Sequence, residues 1–124
     1  AARRRVGSVP SQVPRVLQAL REGLSALRAS AAIQVDFGAG QTRVALGALT
    51  DAGWATLAAL VARWREMLAP ERGFLVVEEG PPALKEHLDS LGSEAGEARL
   101  MRLLKQRFDP GDVMAPGRYL AAVD

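Results

Sequence analysis

The fold is decided by the stretch Ile33-Gln34-Val35-Asp36-Phe37-Gly38-Ala39-Gly40-Gln41-Thr42-Arg43-Val44-Ala45-Leu46. Apolar and polar residues alternate on both sides of its glycine-containing centre, which is the pattern of two half-buried strands. The residues between the strands, 38–42, have the composition of a turn. The stretch therefore predicts a β-hairpin, with Ile33, Val35 and Phe37 facing a core and Gln34 and Asp36 facing the other way.

A helix is predicted on each side of this hairpin. Both segments repeat apolar residues at spacings of three and four, which places those residues on one stripe of a helix. Ser11 caps the first helix, and Pro14 suits its first turn. Thr50 or Asp51 opens the second helix, and Pro70 ends it. The two apolar stripes are Val13, Val16, Leu17, Leu20, Leu24 and Leu27, then Trp54, Leu57, Leu60, Val61, Trp64 and Leu68.

The outer parts of the chain predict one further strand on each side and two more helices. Arg4–Val9 is a β-like run, and the unbroken apolar run Phe74–Val77 is typical of a strand buried on both faces. Pro81–Leu91 predicts a short helix, and Ser93 caps a last helix through Phe108. The order β-α-β-β-α-β plus two extra C-terminal helices predicts one α+β domain over residues 1–124, a ferredoxin-like antiparallel sheet with helices on one face.

Composition bounds the class of protein. The 124 residues are 48% apolar and 24% charged, which is ordinary for a globular domain. The absence of cysteine excludes disulfides, thiolate metal sites and cysteine nucleophiles. No apolar run approaches the ~20 residues that cross a bilayer, so we expect a cytoplasmic protein without a membrane span. The net charge of +2 does not point to nucleic acid as a partner, and Arg3-Arg4-Arg5 is interpreted as a solvated chain end or a small anion patch.

Few residues have the pattern of a catalytic or metal site. No glycine-rich phosphate loop follows a predicted strand, so a nucleotide cradle is not predicted. His87 is the only histidine, and its polar neighbours place it at the surface. Glu78 and Glu79 are adjacent at a strand end and would point to opposite faces of the sheet. The sequence therefore predicts no catalytic residue and no metal ligand in this chain.

Arg43 is the best candidate for binding. It lies on the strand that pairs with Gln34 and Asp36, and all three side chains are expected on the sheet face that the helices leave open. A guanidinium at such a position can hold a small carboxylate through two parallel hydrogen bonds. The alternative is a cross-strand ion pair between Arg43 and Asp36 with no role in binding. The sequence leaves both interpretations open.

A more specific pattern lies at the C-terminal end. Leu100–Arg118 reads Leu-Met-Arg-Leu-Leu-Lys-Gln-Arg-Phe-Asp-Pro-Gly-Asp-Val-Met-Ala-Pro-Gly-Arg. This string resembles the C-terminal signature of FAD-linked oxidases of the vanillyl-alcohol oxidase type, with Ala115 where that family has Asn. Within the family it is similar in particular to the E subunits of bacterial glycolate oxidases, and the likeness extends through Pro81–Gly96. Gly40 and Arg43 also match a Gly-x-x-Arg-Trp pattern of those subunits, although the Trp position holds another residue here.

The resemblance implies a function for the intact protein. This chain would be the C-terminal cap domain of an FAD-dependent oxidoreductase subunit that oxidises a short 2-hydroxy acid and passes a hydride to the flavin. FAD would be held by an upstream domain, and this chain would bind no cofactor and be inert alone. Its partners would be the upstream FAD-binding domain and the other glycolate oxidase subunits. Pro116, Gly117 and Arg118 would dock the tail on the flavin domain, without the amide side chain that Ala115 lacks.

A second interpretation needs no flavoprotein. A free-standing ferredoxin-like module that binds a small molecule or another protein would have the same order of elements. An RNA-binding version is disfavoured, because Phe37 alone on the sheet does not make a platform for stacking bases. The chain begins with Ala1, and its first methionine is Met67, so we expect it to be part of a longer or processed protein. The open sheet face could also support self-association.

Overall fold

The computed structural model describes residues 2–89, 92 and 95–116. Within these residues four strands and four helices follow one another in the order β-α-β-β-α-β-α-α. The strands are β1 (Ala2–Gly7), β2 (Ala31–Asp36), β3 (Gln41–Leu46) and β4 (Phe74–Glu79). The helices are α1 (Val13–Leu27), α2 (Asp51–Leu68), α3 (Pro82–Lys85) and α4 (Ala95–Phe108), and short 3-10 turns lie at Pro10–Gln12 and Ala69–Glu71.

The four strands form one antiparallel sheet in the order β2-β3-β1-β4. The hairpin β2–β3 pairs Gln34 with Arg43 and Asp36 with Gln41. β1 lies in the middle of the sheet, where it pairs with both β3 and β4. Alternate residues of β1, β3 and β4 are buried, because α1 and α2 cover one face of the sheet. The predicted α+β class, with a four-stranded antiparallel sheet and helices on one face, is confirmed.

Local chemistry explains the boundaries of the long helix and of the hairpin. Thr50 caps α2, since its side-chain oxygen accepts a hydrogen bond from the Gly53 N–H at 3.2 Å. Gly40 ends the hairpin turn with φ 64°, and a Cβ there would lie 2.0 Å from the Ser8 carbonyl oxygen. Only glycine fits this position, because both the backbone conformation and the available space exclude a side chain. The Ser8 N–H also donates to the Gly40 carbonyl at 2.9 Å, which ties the turn to the end of β1.

The core lies between the sheet and the two long helices. All buried hydrophobic members of this cluster fall between residues 2 and 84. Leu20, Leu57, Val61 and Trp64 are buried there, as the helical spacing predicts. The same prediction for Leu17 is wrong, because Leu17 is only half-buried. The buried stripe of α1 consists of Val13, Val16, Leu20 and Leu24.

Two predictions about the strands are wrong. Phe37 lies in the hairpin turn after β2 ends and is 60% exposed, so it does not face the core with Ile33 and Val35. β4 is buried on one face only, because Leu75 and Val77 are buried whereas Phe74 is exposed. A continuous apolar run does not by itself distinguish burial on one face from burial on two.

The C-terminal helices differ in length from their predictions. α3 is a single helical turn that ends at Lys85, whereas the sequence predicts a helix that continues to Leu91. α4 ends at Phe108, as the following Asp-Pro predicts. The predicted cap of α4, Ser93, lies outside the described residues. Among the helices that the structure describes, none is both long and apolar enough to pass through a bilayer.

Candidate functional site: the open face of the sheet

The sheet face that α1 and α2 leave uncovered carries a regular array of side chains. The strand register sets its first two rows as Asp36, Gln41, Gly7 and Phe74, then Gln34, Arg43, Arg5 and Val76. A third row contains Ala32, Ala45 and Arg3. The register of the β1–β4 pairing shifts between Arg3 and Arg4, so both Glu78 and Glu79 lie beside this row. Arg43 lies in the middle row, between Gln34 and Arg5. We call this surface the open face.

Carboxylates neutralise two of the three arginines of the open face. Arg5 Nε lies 3.4 Å from Glu78 Oε1, and Arg3 Nε lies 3.4 Å from Glu79 Oε2. Both pairs are partly or largely exposed, so each contributes little to stability. Arg43 forms no ion pair with any described residue. Its positive charge is therefore the uncompensated charge at the centre of the described open face.

The ion pair between Arg43 and Asp36, which is the alternative to a binding role, does not form. Asp36 instead accepts a hydrogen bond from the Ala39 N–H at 3.0 Å and so closes the hairpin turn. A small hollow of about 80 Å³ remains between Gln34, Asp36, Gln41 and Arg43. Gln34 and Arg43 are direct cross-strand neighbours, and both are exposed. The structure thus brings the three residues predicted from the sequence to one surface, with Arg43 free to bind an anion.

A larger depression lies beside Arg43. Its volume is about 300 Å³, and its lining includes Arg3, Gln34, Arg43 and Glu78 at the rim. Ala32 and Ala45, which are paired across β2 and β3, form its floor. Because these two side chains are a single methyl group each, the longer side chains around them enclose a concave space. The sequence does not reveal this depression, because Ala32 and Ala45 become neighbours only through the strand register.

Phe74 borders the other end of the open face. A Cβ at Gly7 would lie 2.2 Å from a carbon of the Phe74 ring, so the ring lies across the glycine on the neighbouring strand. This contact covers the backbone of β1 where glycine leaves it bare. The Phe74 side chain remains 45% exposed, next to the row of the open face that contains Arg43 and Arg5.

The C-terminal segment predicted to dock on a flavin domain is organised around Asp109. The Val113 and Met114 N–H groups donate to its carboxylate at 3.0 and 2.9 Å, and Lys105 Nζ pairs with it one helical turn earlier. Lys105 also donates to the Met114 carbonyl and lies 3.2 Å from Asp112. The Lys105 hydrogen bond and the two backbone donors lower the pKa of Asp109, and the same hydrogen bond raises the pKa of Lys105. We call residues 105–114 the Asp109 loop.

The Asp109 loop and α4 together display an apolar surface. Leu100, Leu103 and Leu104 of α4 are exposed, and none of the other described elements packs closely along this helix. The most exposed apolar side chains of the described residues lie at the end of α4 and in the Asp109 loop. They are Phe108, Val113 and Met114, at 70–81% exposure. Leu100, Leu104 and Phe108 repeat at a spacing of four residues and so share one face of α4, which makes this face a candidate contact surface. Pro116 is exposed next to it, whereas Gly117 and Arg118 lie outside the described residues.

Ala115 has a backbone conformation that its side chain disfavours. Its φ is 47°, in the left-handed region that Asn and Gly adopt more readily than Ala. The family pattern that this segment resembles has Asn at this position. Asn or Gly would fit this backbone conformation better than the Ala that is present.

The most serious error of the sequence interpretation concerns Arg3-Arg4-Arg5, which is not a solvated chain end. The triplet forms the centre of β1, with Arg3 and Arg5 on the open face and Arg4 on the covered face. Arg4 is 1% exposed, and none of its three guanidinium nitrogens has a hydrogen-bond partner among the residues that the structure describes. Burial lowers the pKa of Arg4 to about 10. The acidic pair Glu78-Glu79 is the only signal in the sequence that could have placed basic residues on a neighbouring strand.

Two features of the described residues bear on phosphate and metal binding. One described connection between a strand and a long helix, residues 47–50, begins with a glycine. The Thr50 side chain in it already accepts a hydrogen bond from the Gly53 N–H, one of the first amides of α2. Asp51 follows in the first turn of α2, where it would repel a pyrophosphate. Among the described residues, no group of three or more His, Asp or Glu side chains could hold a metal ion. His87 is exposed, as predicted.

Comparisons with family models, with curated proteins and with solved structures found no match for this chain.

Proposed function

We propose that the chain is a cap domain whose open face holds the carboxylate of a 2-hydroxy acid. The observation that carries this proposal is Arg43, the arginine of the described open face that has no carboxylate partner. A guanidinium is a fixed planar fork of donors, which matches the two oxygens of a carboxylate. Arg5, opposite Arg43 on β1, adds positive potential although Glu78 pairs with it.

Gln34 supplies the second polar contact of the proposed site. It is the cross-strand neighbour of Arg43, and its side-chain amide offers both a donor and an acceptor. A 2-hydroxy acid carries its hydroxyl on the carbon next to the carboxylate, so the two groups can reach Gln34 and Arg43 together. In this arrangement Asp36 keeps its role in the hairpin turn and is not a ligand.

The resemblance of Leu100–Arg118 supports a flavoprotein as the setting of this site. In the proposal, FAD belongs to another domain, the open face covers the substrate side of that domain, and α4 with the Asp109 loop docks on it or on another subunit. Two observations support the docking role: the exposed apolar side chains of α4, and the left-handed φ of Ala115 at the position of the family's Asn. Two hydrogen bonds to Asp109 also hold the backbone of the Asp109 loop that carries Val113 and Met114.

Affinity measurements on two matched variants test the proposed site. Equilibrium dialysis of the purified chain against labelled lactate gives the dissociation constant of wild type, Arg43→Lys and Arg21→Lys. We expect Arg43→Lys to weaken binding about tenfold, because lysine keeps the charge but loses the fork. Arg21 lies exposed on α1, away from the open face, so its variant serves as the control. Equal affinities for all three proteins would contradict the proposal.

The alternative proposal is a free-standing module that binds the same class of ligand without a flavin. One observation favours it: the buried core of the described residues lies entirely within residues 2–84. The reading frame upstream of Ala1 discriminates between the two settings. A flavin-binding domain encoded there supports the cap domain, and its absence supports the free-standing module.

A further inference from the structure

The volume and lining of the depression beside Arg43 indicate a narrower class of ligand than the charge of Arg43 does alone. Its volume of about 300 Å³ lies at the lower end of the range for small-molecule pockets. A two-carbon hydroxy acid on Arg43 would leave most of this space filled with water. The floor of the space is made of Ala32 and Ala45, whose methyl groups offer no hydrogen bond. The depression therefore suits an apolar group larger than that of glycolate.

The charges around the depression are unevenly distributed. Arg43 and Gln34 lie at one side, and Glu78 lies across the alanine floor, next to Glu79. Glu78 and Glu79 already engage Arg5 and Arg3, which leaves no free cation on their side of the described open face. A second carboxylate on the ligand would find no unpaired cation there among the described open-face residues, so its desolvation would go uncompensated. The rim thus accepts one carboxylate, at Arg43, and disfavours two.

We infer that the open face selects a monocarboxylic 2-hydroxy acid with an aliphatic side chain of several carbons. Its carboxylate binds Arg43, its hydroxyl contacts Gln34, and its side chain lies over Ala32 and Ala45. This inference rests on the proposed function, since it assumes that Arg43 binds a carboxylate. It adds that the alanine floor sets the preference among monocarboxylic hydroxy acids.

The test compares a series of ligands on the purified chain. Dissociation constants are measured for glycolate, 2-hydroxybutyrate, 2-hydroxyhexanoate and malate. We expect affinity to rise about twofold to fourfold for each methylene that the floor covers, and malate to bind more weakly than 2-hydroxybutyrate. Equal affinities along the series, still reduced by Arg43→Lys, would overturn the inference and leave the proposed function standing. Failure of every acid to bind would overturn both.

A floor-filling variant tests the same inference from the side of the protein. Ala45→Leu places an isobutyl group in the depression, so 2-hydroxyhexanoate should lose its advantage over glycolate. Ala55→Leu is the matched control, because Ala55 is exposed on α2 far from the open face. Thermal unfolding of both variants verifies that each remains folded. If 2-hydroxyhexanoate keeps its advantage in folded Ala45→Leu, the alanine floor does not select the ligand.

Discussion

Arg4 is the residue that departs most from ordinary protein chemistry. A buried guanidinium is normally paired, since an unpaired buried charge is costly. The Arg4 guanidinium has no hydrogen-bond partner in the described part of the chain, and its neighbours along the covered face of β1 are Ala2 and Val6. Its long side chain still fills space in the core, so its apolar part contributes packing while its head is desolvated.

Arg4→Met should therefore stabilise the protein. Methionine retains a long flexible side chain and removes the unsatisfied donors, so we expect the free energy of unfolding to rise by about 1–3 kcal/mol. Urea unfolding followed by circular dichroism measures this change. Arg5→Met is the matched control, since Arg5 is half-exposed and paired with Glu78, and should change stability little. A loss of stability in Arg4→Met would mean that the guanidinium has a partner in the native protein.

Ala115 gives a second prediction at the scale of one residue. Ala115→Asn should stabilise the segment around it by about 1 kcal/mol, because asparagine tolerates positive φ better than alanine. Ala115→Val should have the opposite effect, since β-branched residues resist this conformation most strongly. Hydrogen exchange of the Met114 amide, which donates to Asp109, measures both changes. The same exchange rate in all three proteins would contradict the assigned conformation.

Among the elements, the Asp109 loop shows how a helix end becomes a defined surface. The carboxylate of Asp109 replaces the hydrogen bonds that α4 cannot provide beyond Phe108, and Lys105 holds the carboxylate in place. The loop therefore depends on the charge of Asp109. Because the pKa of Asp109 is lower in the folded loop than in the unfolded chain, its contribution to stability is complete above the unfolded pKa.

This contribution should be lost in acid. As the pH falls below roughly 4 and through the lowered pKa of Asp109, protonation removes the pairing with Lys105. We expect the Val113 and Met114 amides to lose protection from hydrogen exchange there, while those of the buried strand β1 keep theirs. Asp109→Asn should remove the protection at neutral pH as well. Unchanged protection of Met114 in Asp109→Asn would contradict the account of the loop.

The elements also differ in how well the sequence predicts them. Periodicity predicts four elements: β2, β3, α1 and α2. Each of them buries one side against the same core, so apolar residues recur along that side of the element. For β1 the sequence predicts a strand from Arg4 to Val9 but not the ion pairs on it, because Arg3 and Arg5 pair with Glu79 and Glu78 on another strand. The position of Arg43 on the open face is predictable from alternation, whereas the alanine floor depends on register.

In the molecule as a whole, the core and the segment formed by α4 and the Asp109 loop are separate among the described residues. The buried core closes before residue 89, and α4 lies beyond it without close packing against the described elements. A chain truncated after Glu94 should therefore keep its free energy of unfolding to within about 1 kcal/mol, because surface removal of this kind costs little. Chemical unfolding of the truncated and complete chains measures the difference. Failure of the truncated chain to fold would mean that α4 belongs to the core.

The central claim is that the open face, through Arg43, binds a carboxylate. The most direct test is an NMR titration of the isotope-labelled chain with 2-hydroxyhexanoate, because chemical shifts detect even weak binding. The account predicts saturable shifts of the Gln34, Arg43 and Ala45 amides and of the Arg43 side-chain Nε–H, with those of Leu20 and Val61 unmoved. Shifts confined to the helices, or none at the open face at saturating acid, would contradict it.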